Sequence, residues 1–359
     1  MFDRYQREIH YLRLSVTDLC NLRCRYCMPD GVEKLEREAV LTYEEFLRLA
    51  ALFAQCGIDT VRVTGGEPLV RKADIIRLCE KHDDCGFHAF TNGTLIDEKF
   101  CQEMKRVGNF SVAISLEGFD EVNDLRRGKG VFDKVMHAMD LMKQYGLIFG
   151  TSICYTSKNY KVVTSDEFLD MIIGKGCRFT WYFHYMPVGN DAAPDLLPTK
   201  EQREYMYHRV REIRGATGGK PIYAMDFQND GEFVGGCIAG GRNYCHINAN
   251  GDVEPCVFIH YSSANIREVT LLEALKQPLF MAYRDRQPFN SNHLRPCPML
   301  ENPEILQEMI KETGAKSTDL QSPESAEHLC SKCKAYAVSY THLLAHETCA
   351  DLVCRLLLE

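Results

Sequence analysis

The chain has 359 residues, 45% hydrophobic and 26% charged, enough to bury the core of one large domain or two ordinary ones. A net charge of −8, with lysine and arginine scattered rather than in runs, gives no sign of a nucleic-acid-binding surface. No stretch reaches the apolar length of a membrane span and the charged start MFDRYQREIHYLRLS has no signal-like apolar region, so a cytoplasmic protein without nucleic-acid or membrane partners is expected.

In chain order, Leu12, Leu14 and Val16 alternate as in a strand, and the loop TDLCNLRCRYCMP follows at once. Thr42 and Glu45 have capping-box spacing, and Phe46, Leu49, Ala50 and Phe53 share a helical face that Gly57 can end. IDTVRVTGGEP reads as strand then loop. FHAFTNG, VAISLEG, IFGTSICYT and FTWYFHYMPVG repeat that pattern with helical stretches between them. The alternation predicts an α/β fold, a partial (β/α)6 TIM-like barrel over residues 1–190. Its polar loops CNLRCRYC, GGEP, TNG, SLEG and MPVG all fall at the C-terminal ends of strands, where such barrels place their chemistry. Residues 191–231 read as a linker and a helical segment. Residues 232–336 form a smaller cysteine-punctuated domain, in which HINANGDVEPC predicts a hairpin with Asn250 and Gly251 as its positive-φ turn residues. Val338 to Thr348 and Leu352 to Glu359 read like translated sequencing adapters. Residues 337–359 are therefore expected to be a non-native tail, and Cys349 and Cys354 are set aside.

Seventeen cysteines are many for a cytosolic protein, where disulfides are rare, so the clustered ones point to metal or redox chemistry. Cys56, Cys79, Cys85, Cys101, Cys154 and Cys177 sit in apolar or helical patterns and read as small buried hydrophobes. Cys20, Cys24 and Cys27 are different: C-x3-C-x2-C on one loop lets three thiolates wrap one 4Fe–4S cube and leaves its fourth iron open. A zinc site with a distant fourth ligand is the competing reading.

That cysteine loop, followed one βα unit later by GGEP, resembles the radical S-adenosylmethionine (SAM) superfamily. The resemblance implies that Cys20, Cys24 and Cys27 carry the catalytic cluster, whose open iron binds SAM. Reductive cleavage of SAM would give a 5′-deoxyadenosyl radical that abstracts hydrogen from substrate. It further implies cofactor-binding roles for Tyr26 near adenine, for Gly65 and Gly66 near the methionine amino group, for Glu67, which with Pro68 completes that motif, and for Thr91 and Asn92. Ser115 and Glu117 would contact the ribose, Arg127 or its neighbour Arg126 the cofactor carboxylate, and Met186 in MPVG the adenine. A one-electron reductant such as flavodoxin or ferredoxin is the implied partner.

Residues 1–72, with YLRLSVTDLCNLRCRYCMP and TGGEPLVRK, closely resemble the GTP 3′,8-cyclases of molybdenum cofactor biosynthesis. That family carries a second cluster with ligands spaced C-x2-C-x13-C and arginines between them. Here the first two cysteines fall at Ala239 and Arg242, and the arginines at Tyr244 and His246. Residues 74–336 instead resemble radical SAM proteins with a SPASM-like C-terminal domain, through AFTNGTLIDEKF, HINANGDVEPC, RPCPMLENP and AKSTD. This implies an auxiliary 4Fe–4S cluster, with Cys237, Cys256, Cys297 and Cys333 as its metal ligands, Cys330 as the alternative to Cys333, and Cys245 outside the set. A radical SAM enzyme acting on an unassigned small molecule or peptide is the leading expectation. GTP 3′,8-cyclase and a non-catalytic zinc or electron-transfer module are the alternatives.

Overall fold

A computed structural model describes residues 9, 11–25, 27, 34–190, 192–215, 219–319 and 322–339. Seven parallel strands form the barrel: β1 (Tyr11–Ser15), β2 (Thr60–Thr64), β3 (Gly86–Thr91), β4 (Phe110–Ser115), β5 (Phe149–Tyr155), β6 (Phe179–His184) and β7 (Tyr223–Asp226). Helices α1 (Tyr43–Gln55), α2 (Lys72–Lys81), α3 (Glu98–Val107), α4 (Asp120–Arg127), α5 (Val131–Gln144), α6 (Asp166–Gly174) and α7 (Lys200–Ile213) connect them. The six expected units are present. The segment expected to be linker and helix contributes α7 and also a seventh strand, β7, paired with β6.

The N-terminal capping box of α1 is formed: Glu45 N–H donates to Thr42 Oγ1 at 3.2 Å, and Thr42 N–H to a Glu45 carboxylate oxygen at 2.7 Å. Phe46, Leu49, Ala50 and Phe53 are buried against the sheet. Strand alternation sends Val61 and Val63 to the helix side and leaves Thr60, Arg62 and Thr64 on the other face. Arg13, Arg62 and His88 are register neighbours across β1, β2 and β3, and the β6 aromatics Phe179 and Trp181 pack against His88. Gly150 on β5 leaves room for this: a Cβ there would lie 2.2 Å from the Phe179 carbonyl oxygen.

The C-terminal domain begins by extending the same sheet. β8 (His246–Ile247) pairs in parallel with β1, and β9 (Val253–Glu254) pairs antiparallel with β8. The expected hairpin is therefore present, but its turn is longer than two residues. Asn248 Oδ1 accepts the N–H groups of Asn250 (3.2 Å) and Asp252 (2.9 Å), and Gly251 supplies a φ of 98°. A second, smaller pair, β10 (Tyr261–Ser262) and β11 (Lys316–Ser317), is antiparallel. Helices α8 (Leu271–Ala274), α9 (Pro278–Arg286), α10 (Pro303–Thr313) and α11 (Ala326–Ser339) complete the domain around a second core that includes Tyr283, Met299, Leu306, Cys330 and Cys333. α11 continues through Ser339, and Cys349 and Cys354 lie outside the described residues. Among the described residues, no helix is long and apolar enough to cross a membrane.

Candidate active site

Cys20, Cys24 and Cys27 lie on the loop that leaves β1 and line one cavity of about 470 Å³. The loop is held from within and from α4. Leu19 N–H donates to Thr17 Oγ1 at 3.0 Å, Leu22 N–H to Cys20 Sγ at 3.5 Å, and Arg25 N–H to the Arg126 carbonyl at 3.0 Å. Burial pushes the Cys24 thiol above its ordinary value, while the Arg127 and Arg126 guanidiniums pull it back toward the thiolate that iron requires.

Gly65 and Gly66 are needed for a reason the sequence does not show. Gly66 N–H donates to the Thr17 carbonyl at 2.8 Å, and Glu67 N–H to the Leu19 carbonyl at 2.7 Å. A Cβ on Gly65 would lie 2.3 Å from the Thr17 oxygen, and one on Gly66 2.3 Å from the Leu19 oxygen. The glycines thus let the GGEP backbone press against the cysteine loop, and both also line the cavity.

Glu67 is buried and its carboxylate is spent within the chain. It accepts from Leu69 N–H (2.9 Å), Thr91 Oγ1 (2.6 Å) and Asn92 N–H (2.7 Å), so it positions the ends of β2 and β3. Asn92 Nδ2 in turn donates to Asn21 Oδ1 at 2.9 Å and lies 4.0 Å from Cys20 Sγ. On the opposite wall, Arg127 engages both carboxylate oxygens of the buried Glu117, with Nη2 to Oε1 at 2.8 Å. Arg126 approaches the same oxygen at 3.4 Å. Burial alone would raise the Glu117 carboxyl, but the two guanidiniums hold it below its ordinary value. Ser115 at the end of β4 and Met186 just after β6 complete this set around the cavity. Tyr26 lies outside the described residues.

Cys237, Cys256 and Cys297 line a second cavity of about 180 Å³, on the C-terminal-domain side of the first. Each sulfur accepts a backbone N–H from two or three residues later: Ala239 to Cys237, Phe258 to Cys256, and Leu300 to Cys297 at 3.4 Å. Burial pushes all three thiols up, Cys237 to about 12, and these bonds act against it, toward the thiolate form. Arg13, Phe183, Met186 and Phe258 line both cavities and so form the wall between the two thiol sets. Cys333 and Cys330 are buried one helical turn apart on α11 and are not among the lining residues. Cys245 packs into the barrel core, where burial pushes its thiol up to about 12. Among the described residues, no three His, Cys, Asp or Glu side chains are arranged to hold a single metal ion.

Arg13, Cys154, His184 and His260 also line these cavities and were not singled out as site residues in the sequence. Cys154, read as an ordinary buried hydrophobe, sits at the cavity end of β5 beside Arg126. The strand period could have flagged it, since it shares a face with Ser152, which also lines the cavity. Cys79, Cys85, Cys101 and Cys177 are buried as expected, and Cys56 is half-buried.

A buried polar chain ties the two domains together beside this site. His246 Nε2 meets Ser15 Oγ at 2.8 Å, and its Nδ1 meets Glu254 Oε2 at 2.6 Å. The other Glu254 oxygen accepts from Thr318 Oγ1 (2.5 Å) and Asn248 Nδ2 (3.1 Å), and pairs with His260 Nδ1 at 3.4 Å. Burial favours a neutral Glu254, yet the His260 and His246 imidazoles outweigh it and hold the carboxyl well below 4.5. Burial likewise opposes a charged His260, and Glu254 outweighs it, raising that imidazole above 6.5. Below pH 4.5 the unfolded chain protonates Glu254 while the folded chain does not, so stability falls as acid is added. Above 6.5 the raised histidine loses its advantage as pH climbs through its folded value. The stability difference between the parent protein and Glu254→Gln, read from denaturant midpoints, is therefore expected to be largest between pH 4.5 and 6.5. A difference that does not vary with pH would contradict this.

A parallel partial barrel with three clustered thiols at its strand ends, and a second thiol set in an appended domain, defines a cluster-dependent radical enzyme. The family model "Radical SAM superfamily" matches residues 14–172, and "Iron-sulfur cluster-binding domain" (SPASM) matches residues 237–299. GTP 3′,8-cyclase of Desulforamulus reducens is 30% identical over 288 residues, covering 72% of this chain and 84% of the relative. That of Erythrobacter litoralis is 32% identical over 276 residues, covering 72% and 81%. Among solved structures, Streptococcus suis SuiB bound to precursor peptide SuiA superposes with a TM-score of 0.68 at 18% identity, over 91% of this chain and 76% of that one. The chain belongs to the radical SAM superfamily: it is an enzyme whose cofactors are 4Fe–4S clusters and SAM.

Proposed function

We propose that this enzyme takes hydrogen from an anionic small molecule held inside the barrel, between the two thiol sets. Cys20, Cys24 and Cys27 would hold the SAM-binding cluster. Cys237, Cys256 and Cys297, joined by Cys333 or Cys330 from α11, would hold the auxiliary one. When bound, the first cluster and SAM supply the 5′-deoxyadenosyl radical, with a flavodoxin- or ferredoxin-class protein as the electron donor. The chain's own part is to position and to exclude water. Glu67 fixes the GGEP and TNG loops relative to each other, and Glu117 fixes the two arginines. Phe183 on β6 and Phe227 just after β7, stacked at 4.3 Å, help close the apolar side of the barrel.

The observation that carries the substrate class is the pair Arg13 and Arg62. Arg13 is 6% exposed, yet among the described residues neither guanidinium forms an ion pair with a carboxylate. Both are sandwiched by rings instead: Arg13 lies 4.9 Å from the Tyr244 centroid, and Arg62 lies 4.4 Å from Tyr11 and 5.0 Å from Trp181. Burial depresses Arg62 to about 10. Arg13 is buried and Arg62 half-buried, and a cation buried without a carboxylate partner is costly. A phosphate or carboxylate of the substrate would offset that cost.

GTP is the first molecule to test, because curated relatives across most of the chain are named GTP 3′,8-cyclase. On that reading the product is the pyranopterin precursor of molybdenum cofactor biosynthesis. Ala239, Arg242, Tyr244 and His246, which stand where that family has cysteines and arginines, favour a different anion. The test is anaerobic reconstitution with iron and sulfide, then assay of dithionite-dependent 5′-deoxyadenosine formation with and without GTP and other phosphorylated or carboxylated metabolites. Stimulation by an anionic compound, lost in Arg13→Met while the unstimulated cleavage persists, is expected. Stimulation that is unaffected by Arg13→Met would sink the anionic-substrate reading.

A further inference from the structure

The geometry points to Tyr244 as the residue that sets the reduction potential of the auxiliary cluster, through the hydrogen bond its hydroxyl donates to the Cys256 sulfur. The inference rests on the assignment of Cys256 as a ligand of that cluster. The bond is 3.1 Å long and belongs to a tyrosine only 5% exposed. The ring cannot swing away. It is stacked on Tyr11 at 4.9 Å and 13°, and the Arg13 guanidinium covers it at 4.9 Å from the centroid. A cation over the ring draws density from the phenol and makes its O–H a stronger donor.

Reduction adds one electron, taken from a low-potential one-electron donor, and spreads its charge over iron and sulfur. A donor aimed at a ligand sulfur stabilises the reduced form more than the oxidised form, which makes the potential less negative. The same neighbourhood contains an internal comparison. Tyr283 is fully buried near Cys237, Cys256 and Cys297, but its hydroxyl makes no hydrogen bond among the described residues. Removing that hydroxyl changes the volume by as much as removing the Tyr244 hydroxyl, without removing a bond to sulfur.

The experiment uses the full chain with Cys20, Cys24 and Cys27 all changed to alanine, so that only the auxiliary cluster assembles on anaerobic reconstitution. Its midpoint potential is then read by EPR during dithionite titration. Tyr244→Phe is expected to lower the equilibrium constant for one-electron reduction about tenfold, about 59 mV toward more negative potential. Ring-fluorinated tyrosine at 244, a stronger donor, is expected to move it the other way, and Tyr283→Phe to leave it unchanged. A potential that ignores both changes at 244, or one that Tyr283→Phe shifts equally, overturns the inference alone. Failure of the triple variant to bind any cluster overturns the auxiliary-cluster assignment and the inference with it.

Discussion

Replacing Cys24 with alanine is expected to abolish reductant-dependent formation of 5′-deoxyadenosine and to cut the reconstituted iron from about eight to about four per chain. The size of the effect follows from the position. Cys24 is the most buried of the three thiols, 7% exposed, at the base of a loop whose backbone is fixed by Arg126, Thr17 and the GGEP segment. No other cysteine of the N-terminal half can substitute from the loop itself. Cys154 lines the same cavity, but it stands on β5 and is held by Arg126. The auxiliary set lies across the wall formed by Arg13 and Met186, so its iron is expected to remain. Iron analysis with the cleavage assay checks both halves of the statement. Persistent cleavage in Cys24→Ala would defeat the assignment of the SAM-binding cluster.

The second large effect is structural. Arg203→Met is expected to destabilise the protein by about 3–5 kcal/mol, because it leaves the fully buried Glu301 without its partner. Arg203 is the joint between α7 of the barrel and the C-terminal domain. Nε donates to Asn229 Oδ1 at 2.8 Å, Nη1 to Glu301 Oε1 at 2.5 Å and Tyr336 Oη at 3.2 Å, and Nη2 to the Leu294 carbonyl at 2.6 Å. Glu301 passes the constraint on by accepting the Cys297 N–H at 2.7 Å, and Tyr336 does so by bonding His184 at 2.7 Å on the cavity wall. Burial raises the Glu301 carboxyl and Arg203 pulls it back, so without the arginine the acid is expected to take up a proton. The double variant Arg203→Met/Glu301→Leu removes both charges and is expected to lose less stability than the single one. Denaturant midpoints of the four proteins close the cycle. A single-variant loss below about 1 kcal/mol would show that the pair is not the joint described here.

The parts of this enzyme that were legible in the sequence are those written locally. Three cysteines within eight residues, GGEP one unit later and the strand–helix alternation are short-range patterns, and the fold and cofactors follow from them. β7 was not legible. It is four residues long, and its buried positions are Ala224 and Asp226, a small residue and an acid where an apolar alternation would have announced a strand. The role of the two glycines was legible only in kind. Spacing marks Gly65 and Gly66 as special, but their contact with Thr17 and Leu19 exists only once β1 and β2 are paired. The stacking of Arg13 on Tyr244 and the contact of Ser15 with His246 were invisible for the same reason. The partners in each come from distant parts of the chain, and nothing in YLRLS or NYCHI says that they will meet.

The pairing of β8 with β1 also bears on how the chain reaches its folded form. Ser15 and His246 are 231 residues apart, so the outer edge of the first strand stays bare until nearly the whole barrel has been synthesised. An unpaired parallel edge is a template for association with other chains, and closing it requires one of the longest loops in the molecule. The cysteine loop springs from that same strand. Cluster insertion and late closure of the sheet therefore act on one segment, and a nascent chain that met its iron early would do so with this edge still open to solvent.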